Sequence, residues 1–242
     1  TREQLEADGW SLKGNIFERD DERMLPLYEA KMIHQFDHRW ATFDGSTDSS
    51  GNQAARDTNA AERDDPWFAV LPRYWVSRGD VASRLPEGTR VLFAYRWITN
   101  TTNERTFVCS TVPRVAAGNS MPLAGVPNAN LLATSMANFA LDYSARQKLG
   151  GSNMTYGTTN QLPVLPPERF VEVTPWRLSD QVGDWLRARS LELAYTAWDM
   201  APVAQELEDI DLSGEVNPPF VWDDDRRSWL RAELDAAFFH LY

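Results

Sequence analysis

Hydrophobic residues recur at helical spacing in the middle of the chain. Leu132, Met136, Phe139 and Tyr143 are separated by four, three and four residues. This spacing places side chains on one face of an α-helix. The pattern therefore predicts one continuous helix over Asn128–Lys148, with these four side chains on a single stripe.

Two later stretches show the same periodicity and predict helices over Ser179–Leu193 and Asp223–Tyr242. Three aspartates at the start of the second stretch favour the positive end of a helix dipole. The side chains predicted to point inward are Val182, Trp185, Leu186 and Leu193 in the first helix and Trp229, Leu230, Leu234, Phe238 and Leu241 in the second.

Runs of β-branched and aromatic residues predict strands ahead of these helices. Arg90–Thr99 and Thr106–Val112 form a predicted hairpin joined by the polar segment Asn100–Arg105. Trp67–Val76 and Arg39–Phe43 are also typical of strands. Strands followed by helices indicate an α+β fold.

Three segments lack a regular pattern. Residues 1–23 are strongly charged and predict a connector, with a turn at Lys13-Gly14-Asn15. Tyr28–Phe36 predicts a short helix or an irregular turn. Residues 44–66 are rich in Gly, Ser, Asn and Asp, with few large apolar side chains, and predict a flexible surface loop.

Composition bounds the class of protein. The 242 residues are 43% hydrophobic and 12% aromatic, values typical of a folded domain rather than a disordered chain. No apolar run approaches the roughly 18 residues of a membrane helix, and no signal peptide is visible. A single cysteine, Cys109, leaves no internal disulfide and favours a reducing cytoplasm.

The net charge of −11 is unevenly distributed. Residues 1–70 carry a net −7 and residues 152–242 a net −9, whereas residues 71–151 carry 9 Lys/Arg against 4 Asp/Glu, a net +5. Affinity for DNA depends on the field near the phosphates, which salt screens within about 10 Å. The basic segment therefore remains a candidate DNA-binding surface, with chance clustering of surface charge as the alternative.

The end of the helix predicted over Asn128–Lys148 combines cations with a polar loop. Arg146 and Lys148 fall in its last turn, and Gly150-Gly151 lets the backbone turn away. Asn153 begins a row of Asn, Thr and Tyr side chains. Such a surface suits contacts to phosphates and base edges. A core helix with a solvated C-terminus is the alternative interpretation.

Four segments, in order, resemble the target-recognition region of large bacterial DNA N6-adenine methyltransferases. Leu131–Pro167 carries LLATSMANFALDYSARQKLGGSNMTYGTTNQLPVLPP and is the most specific of them. Leu27–Trp40 (LYEAKMIHQFDHRW) resembles the start of that region, Phe93–Pro113 (FAYRWITNTTNERTFVCSTVP) its central hairpin, and Phe220–Tyr242 (FVWDDDRRSWLRAELDAAFFHLY) the helical segment behind it. The family comprises type IIG restriction–modification enzymes and related methylases of the DISARM and BREX phage-defence systems.

The resemblance implies an organisation and a role. Residues 24–170 would form a DNA target-recognition domain, a twisted β-sheet with a prominent helix, followed by a mainly helical, C-terminally truncated segment over 171–242. The chain would recognise double-stranded DNA without catalysing a reaction or holding a cofactor or metal. A catalytic domain of the same polypeptide would flip and methylate an adenine with S-adenosylmethionine.

The candidate DNA contacts are mostly cations that would fix register on the phosphates. They are Lys31, His34, Arg39, Arg73, Arg96, Arg105, Arg146, Lys148 and Asn153. For Arg96 and Arg105 a structural role, pairing with Glu104 or Asp142, is an equal alternative.

Two short motifs suggest catalysis instead. Asn217-Pro218-Pro219-Phe220 matches the tetrapeptide that adenine methyltransferases use to hold the target amine, but the preceding Asp209–Val216 is too polar for a buried parallel strand. Glu29-Ala30-Lys31, with Asp20 and Asp21 before it, imitates the Asp…Glu-x-Lys spacing of metal-dependent nucleases. A nuclease fragment is therefore the main alternative function.

Two weaker possibilities come from residue type alone. His34 and His38 have the four-residue spacing of zinc ligands on a helix, but the sequence offers no obvious third ligand. Ten tryptophans suggest a carbohydrate-binding module with aromatic platforms, although most of them fall at positions expected in a core.

Overall fold

Strands occupy mainly the first half of the chain and helices the second, as a computed structural model describing residues 1–242 shows. The α+β prediction is confirmed. The strands are β1 (Ser11–Lys13), β2 (Ile16–Arg19), β3 (Glu22–Tyr28), β4 (Ala41–Thr42), β5 (Arg56–Asp57), β6 (Trp75–Ser77), β7 (Val91–Tyr95), β8 (Cys109–Pro113), β9 (Ala116–Ala117), β10 (Leu123–Ala124), β11 (Val173–Thr174) and β12 (Arg177–Gln181). The helices are α1 (Arg2–Ala7), α2 (Ala60–Asp64), α3 (Arg78–Ala82), α4 (Ala129–Met136), α5 (Phe139–Lys148), α6 (Tyr156–Thr159), α7 (Val182–Ala194), α8 (Ala201–Glu206) and α9 (Asp224–Leu241).

The N-terminal segment forms part of a sheet, so the prediction of a connector over residues 1–23 is wrong. Strands β1, β2, β3 and β6 pair antiparallel in that order, and β9 pairs parallel with β3. The charged residues lie on the exposed face, where Glu18 bonds Lys13 at 2.7 Å and Arg23 at 2.9 Å. The opposite face buries Phe17 against Trp75, with 4.9 Å between ring centroids.

Several local predictions are confirmed and others corrected. The turn at Gly14 is present, with φ of 59°, and a 3₁₀ turn occupies Ala30–Met32. The strands predicted near Arg39–Phe43 and Trp67–Val76 shrink to β4 and β6. The segment predicted as a loop over 44–66 contains β5, which pairs with β4, and α2. Helix α2 begins here because Asn59 and Glu62 form a capping box.

The predicted central hairpin is confirmed by the antiparallel pair β7–β8, which runs in register from Val91↔Pro113 to Tyr95↔Cys109. The connection between the strands, residues 96–108, is longer than the sequence predicted. Every residue of β7 is buried. Its alternating side chains enter two hydrophobic clusters, with Phe93 in the larger and Leu92 in the smaller.

The helix predicted over Asn128–Lys148 is two helices, α4 and α5, divided at Ala137-Asn138. The Asn138 backbone is extended, and its Oδ1 accepts a hydrogen bond from the Leu141 N–H at 2.9 Å. This cap starts α5 in a new phase, so Leu141 is buried whereas Phe139 and Tyr143 are 48% and 68% exposed. The single stripe is therefore wrong.

The C-terminal helices share the larger core with the β7–β8 hairpin. Helix α9 packs against α5 and α7, and the larger cluster includes Phe93, Leu186 and Phe238 together. The expected boundary at residue 170 therefore does not separate two cores. The inward positions predicted for α9 are confirmed except Trp229, which is 63% exposed. No helix has the length and apolar character needed to cross a membrane.

Candidate nucleic-acid interface

Two loops distant in sequence are hydrogen-bonded side by side. The N–H of Thr99 donates to the carbonyl of Ser152 (2.9 Å), and the N–H of Met154 donates to the carbonyl of Trp97 (2.7 Å). The first loop belongs to the β7–β8 connection, and the second follows the double glycine after α5. We call residues 97–105 and 149–160 together the loop pair.

Helix α5 braces the loop pair through Arg146. Its Nη1 donates to the carbonyl of Thr101 at 2.8 Å, and its Nη2 donates to the carbonyls of Asn103 and Glu104, both at 3.1 Å. Because these bonds hold the loop's shape, Arg146 is chiefly a structural residue. The expectation that it offers a free charge to phosphates is corrected accordingly.

The exposed surface of the loop pair mixes apolar, amide and cationic groups. Ile98 and Tyr156 are 61% and 60% exposed, and the side chains of Asn100 and Asn153 are also exposed. Lys148, at the end of α5, has no carboxylate within ion-pair distance and approaches only the Gln161 amide oxygen, at 3.4 Å. Such groups can contact phosphates and base edges.

Two of the predicted DNA contacts are buried and cannot reach a ligand in this structure. Arg39 is 1% exposed, and its guanidinium donates to backbone carbonyls of Glu62, Arg63, Asp65, Phe68 and Thr196. Arg105 is 4% exposed, pairs with Asp235 at 2.7 Å and lies over the Phe139 ring. The structural alternative for Arg105 is correct, but with a different partner.

Two further predicted contacts are partly buried and engaged. Arg73 donates through Nε and Nη2 to the Glu29 carboxylate at 2.7 and 2.5 Å. Arg96 donates through the same two atoms to the carbonyl of Ile33, at 2.9 and 2.6 Å. Burial lowers the pKa of Arg96. Two of the cations that contribute to the net +5 charge of residues 71–151 are therefore hydrogen-bonded to other protein groups.

The remaining predicted residues are more accessible. Lys31 is exposed on the Ala30–Met32 turn and forms no ion pair. His34 is half-buried and stacks on Trp40, with 4.4 Å between ring centroids. Burial lowers the pKa of His34 to about 4, and the nearby Arg96 guanidinium acts in the same direction. His34 is therefore neutral at pH 7.

A second surface feature includes His34 but was otherwise missed from the sequence. Around a pocket of ≈ 120 Å³, the guanidinium of Arg63 lies over the rings of both Trp40 and Trp222, 5.1 Å from each centroid. Arg227 lies over Trp222 at 3.8 Å. We call it the Trp40–Trp222 pocket. The sequence signal that could have indicated this pocket is the two Trp and three Arg within residues 222–231.

The alternative catalytic motifs do not assemble. Glu29 is paired with Arg73, and Asp20 and Asp21 precede the opposite end of the seven-residue strand β3, roughly 20 Å away. No three His, Cys, Asp or Glu side chains lie together as a metal site. His38 is 1% exposed and bonds Asp199 at 2.9 Å, so it is unavailable to pair with His34.

The Asn-Pro-Pro-Phe tetrapeptide lies in the loop between α8 and α9. The Asn217 amide donates to Asp209 Oδ1 at 2.8 Å, and the Asn217 carbonyl accepts from the Tyr195 hydroxyl at 2.8 Å. Its side chain is thus engaged within the loop, and the tetrapeptide follows no parallel strand.

Comparison with known proteins gives no relative. Protein-family models, curated proteins and solved structures were compared with the chain, and none matches significantly.

Proposed function

We propose that the chain recognises DNA targets for a bacterial adenine-N6 methyltransferase or fused restriction–modification enzyme. In this proposal it acts on double-stranded DNA in the cytoplasm and catalyses nothing itself. A catalytic domain of the same polypeptide supplies S-adenosylmethionine and methylates the adenine. This role follows from the resemblance of four sequence segments to recognition regions of such enzymes.

The observation that carries the proposal is that three of the four segments bond the β7–β8 connection, which lies in the second segment along the chain, Phe93–Pro113. The other three, numbered in chain order, are the first (Leu27–Trp40), the third (Leu131–Pro167) and the fourth (Phe220–Tyr242). Arg96 of that connection bonds the Ile33 carbonyl in the first segment. Thr99 bonds Ser152 in the third. Arg105 bonds Asp235 in the fourth. Segments separated by up to 130 residues thus build one frame.

The exposed side chains of the loop pair supply the chemistry of recognition. Lys148, beside the C-terminus of α5, contacts a phosphate and fixes register. Asn153 presents an amide, which can donate to and accept from an adenine edge in the major groove. Ile98 offers an apolar contact of the kind made with a thymine methyl group.

Binding of a labelled random-sequence duplex, measured by fluorescence anisotropy from about 50 to 200 mM salt, tests the proposal. Lys148→Ala is expected to weaken binding on all sequences and lower the log–log salt slope by about 1. Asn153→Ala is expected to change preference at one base pair by about 1–3 kcal/mol. Arg187→Ala in α7, a partly exposed cation paired with Asp184 at 2.9 Å, is the control.

The proposal fails if the wild-type chain does not bind the duplex at low salt, or if Arg187→Ala weakens binding as much as Lys148→Ala. A separate titration with S-adenosylmethionine is expected to give no heat, because the sequence contains no Gly-rich methyl-donor loop ahead of the tetrapeptide. Micromolar donor binding that Asn217→Ala abolishes would instead assign a catalytic role to the tetrapeptide.

A further inference from the structure

The Trp40–Trp222 pocket combines aromatic walls with an unpaired acceptor. Asp37 lines the pocket and is 4% exposed. Its Oδ1 accepts from the Arg39 N–H at 2.8 Å, whereas its Oδ2 is buried without a hydrogen-bond partner. A buried carboxylate oxygen of this kind costs free energy unless a donor reaches it. The pocket therefore suits a ligand with an N–H or O–H group.

Guanidinium groups at the rim of the pocket can contact an anion. Arg63, Arg227 and Arg231 line it together with Asp37 and Asp224, and His34 is neutral. Arg227 is committed to the carbonyls of Leu193 and Phe36. Arg63 and Arg231 are both partly exposed, and Arg231 also donates from Nη2 to the Glu104 carboxylate at 2.7 Å. Arg63 donates to the Thr58 hydroxyl at 3.2 Å and forms no ion pair, so its guanidinium can attract a phosphate at the rim.

The volume of the pocket suits a small group rather than a drug-sized ligand. A volume of ≈ 120 Å³ equals about four water molecules and lies well below the roughly 300 Å³ of sites for drug-sized ligands. Indole and guanidinium planes stack readily on nucleobases. A planar base with an amino group thus matches the walls, the Asp37 acceptor and the available space.

We propose that the Trp40–Trp222 pocket binds an unpaired nucleotide whose base carries an exocyclic amino group. The base stacks beside Trp40 and Trp222 and donates its amino N–H to Asp37 Oδ2, and the phosphate contacts Arg63 and Arg231. The nucleotide is either a free monophosphate or an unpaired residue of a DNA strand. This binding is separate from duplex recognition by the loop pair.

Calorimetric titration with dAMP, dCMP and TMP tests the pocket. The two amino-bearing nucleotides are expected to bind at least about ten-fold more tightly than TMP, since TMP offers a carbonyl where they offer a donor. Asp37→Asn keeps an acceptor for the Arg39 N–H but replaces the free oxygen with a donor. This variant is expected to erase or invert the preference. An unchanged ranking would overturn the proposal.

Further variants distinguish the individual contacts of the pocket and the two possible sources of the nucleotide. Trp222→Ala is expected to weaken dAMP binding more than about ten-fold while the chain stays folded, and Arg231→Ala to remove the advantage of dAMP over deoxyadenosine. Lys148→Ala and Asn153→Ala are expected to leave dAMP binding unchanged even if duplex binding fails. Binding only to an oligonucleotide with an unpaired adenine, and not to its fully paired form, identifies a strand as the source. No binding to dAMP or that oligonucleotide, or retention of a neutral glycan instead, refutes the proposal.

Discussion

Arg105 and Asp235 form a buried ion pair across 130 residues of sequence, with 2.7 Å between Arg105 Nη2 and Asp235 Oδ2. The second carboxylate oxygen of Asp235 accepts from the N–H of Phe139 at 2.8 Å. One side chain of α9 therefore holds both the β7–β8 connection and the first turn of α5. Because both helices and the connection share this contact, they are expected to unfold together.

Arg105→Met is expected to lower the free energy of unfolding by about 3–5 kcal/mol, because it leaves the Asp235 carboxylate buried without its cation. Urea denaturation followed by circular dichroism measures the change. The double variant Arg105→Met/Asp235→Asn removes the unpaired negative charge at position 235 and keeps an oxygen that accepts from the Phe139 N–H. It is expected to regain at least about 1 kcal/mol. Strict additivity of the two single changes would contradict this account.

Arg39→Lys is expected to lower the free energy of unfolding by about 2–4 kcal/mol, because a lysine ammonium cannot reproduce the planar fork that bonds several carbonyls. Arg23→Lys is the matched control. Arg23 is half-exposed and pairs only with Glu18, so its replacement is expected to change stability by less than about 0.5 kcal/mol. Equal effects of the two substitutions in urea denaturation would rule out a structural role for Arg39.

Stability is expected to fall as the pH decreases from about 6.5 to about 4. The pKa of His34 is about 4 in the folded chain, lowered first by burial and then by Arg96, whereas an unfolded histidine titrates near 6.5. Within this window the unfolded state binds the proton more readily, so each pH unit costs at most about 1.4 kcal/mol. Above this window His34 is neutral in both states and contributes no pH dependence.

Thermal denaturation of wild type and His34→Gln across this pH range isolates the contribution. The variant is expected to show a shallower acid slope than wild type. His240→Gln serves as the control, because His240 is exposed. An identical slope in wild type and His34→Gln would show that His34 does not resist protonation.

Asn138→Ala is expected to cost about 1–2 kcal/mol, because it removes the cap at the start of α5. The Asn138 amide also donates to the Ser135 carbonyl at 2.7 Å, so the break between α4 and α5 loses both of its side-chain bonds. Asn160→Ala, at an exposed position after α6, is expected to leave stability nearly unchanged. Chemical denaturation compares the free energies of unfolding of both variants with wild type. Equal values for the two variants would contradict a capping role for Asn138.

Hydrophobic periodicity predicted the helices and strands whose formation depends on residues close together in the sequence. The β7–β8 hairpin, α7 and α9 follow from alternating or helical patterns in the sequence. The break at Asn138 did not, because the apolar spacing runs across it and a single capping bond decides the phase of α5. The N-terminal strands were not predicted, because the exposed charged residues around Phe17 mask its buried position in the sequence pattern.

The sites depended on contacts that sequence spacing does not reveal. Arg39 is a plausible phosphate ligand by residue type, but carbonyls from residues 62–68 and from Thr196 surround it. Trp40 and Trp222 approach the same Arg63 from opposite parts of the chain. The exposed Lys148 and Asn153 could be chosen from sequence because Lys148 ends a helix and Asn153 lies in the loop after it, where side chains are usually solvated.

The bonds that join the loop pair run between backbone atoms of Thr99 and Ser152 and of Trp97 and Met154. The exposed side chains of Ile98, Asn153 and Tyr156 make none of these bonds. Substitution of Ile98 or Asn153 therefore leaves these backbone bonds in place, whereas Tyr156 also packs edge-to-face on Trp97, with 5.3 Å between ring centroids. The shape of the loop pair is thus fixed by its backbone, independently of the Ile98 and Asn153 side chains to which we assign the proposed DNA contacts.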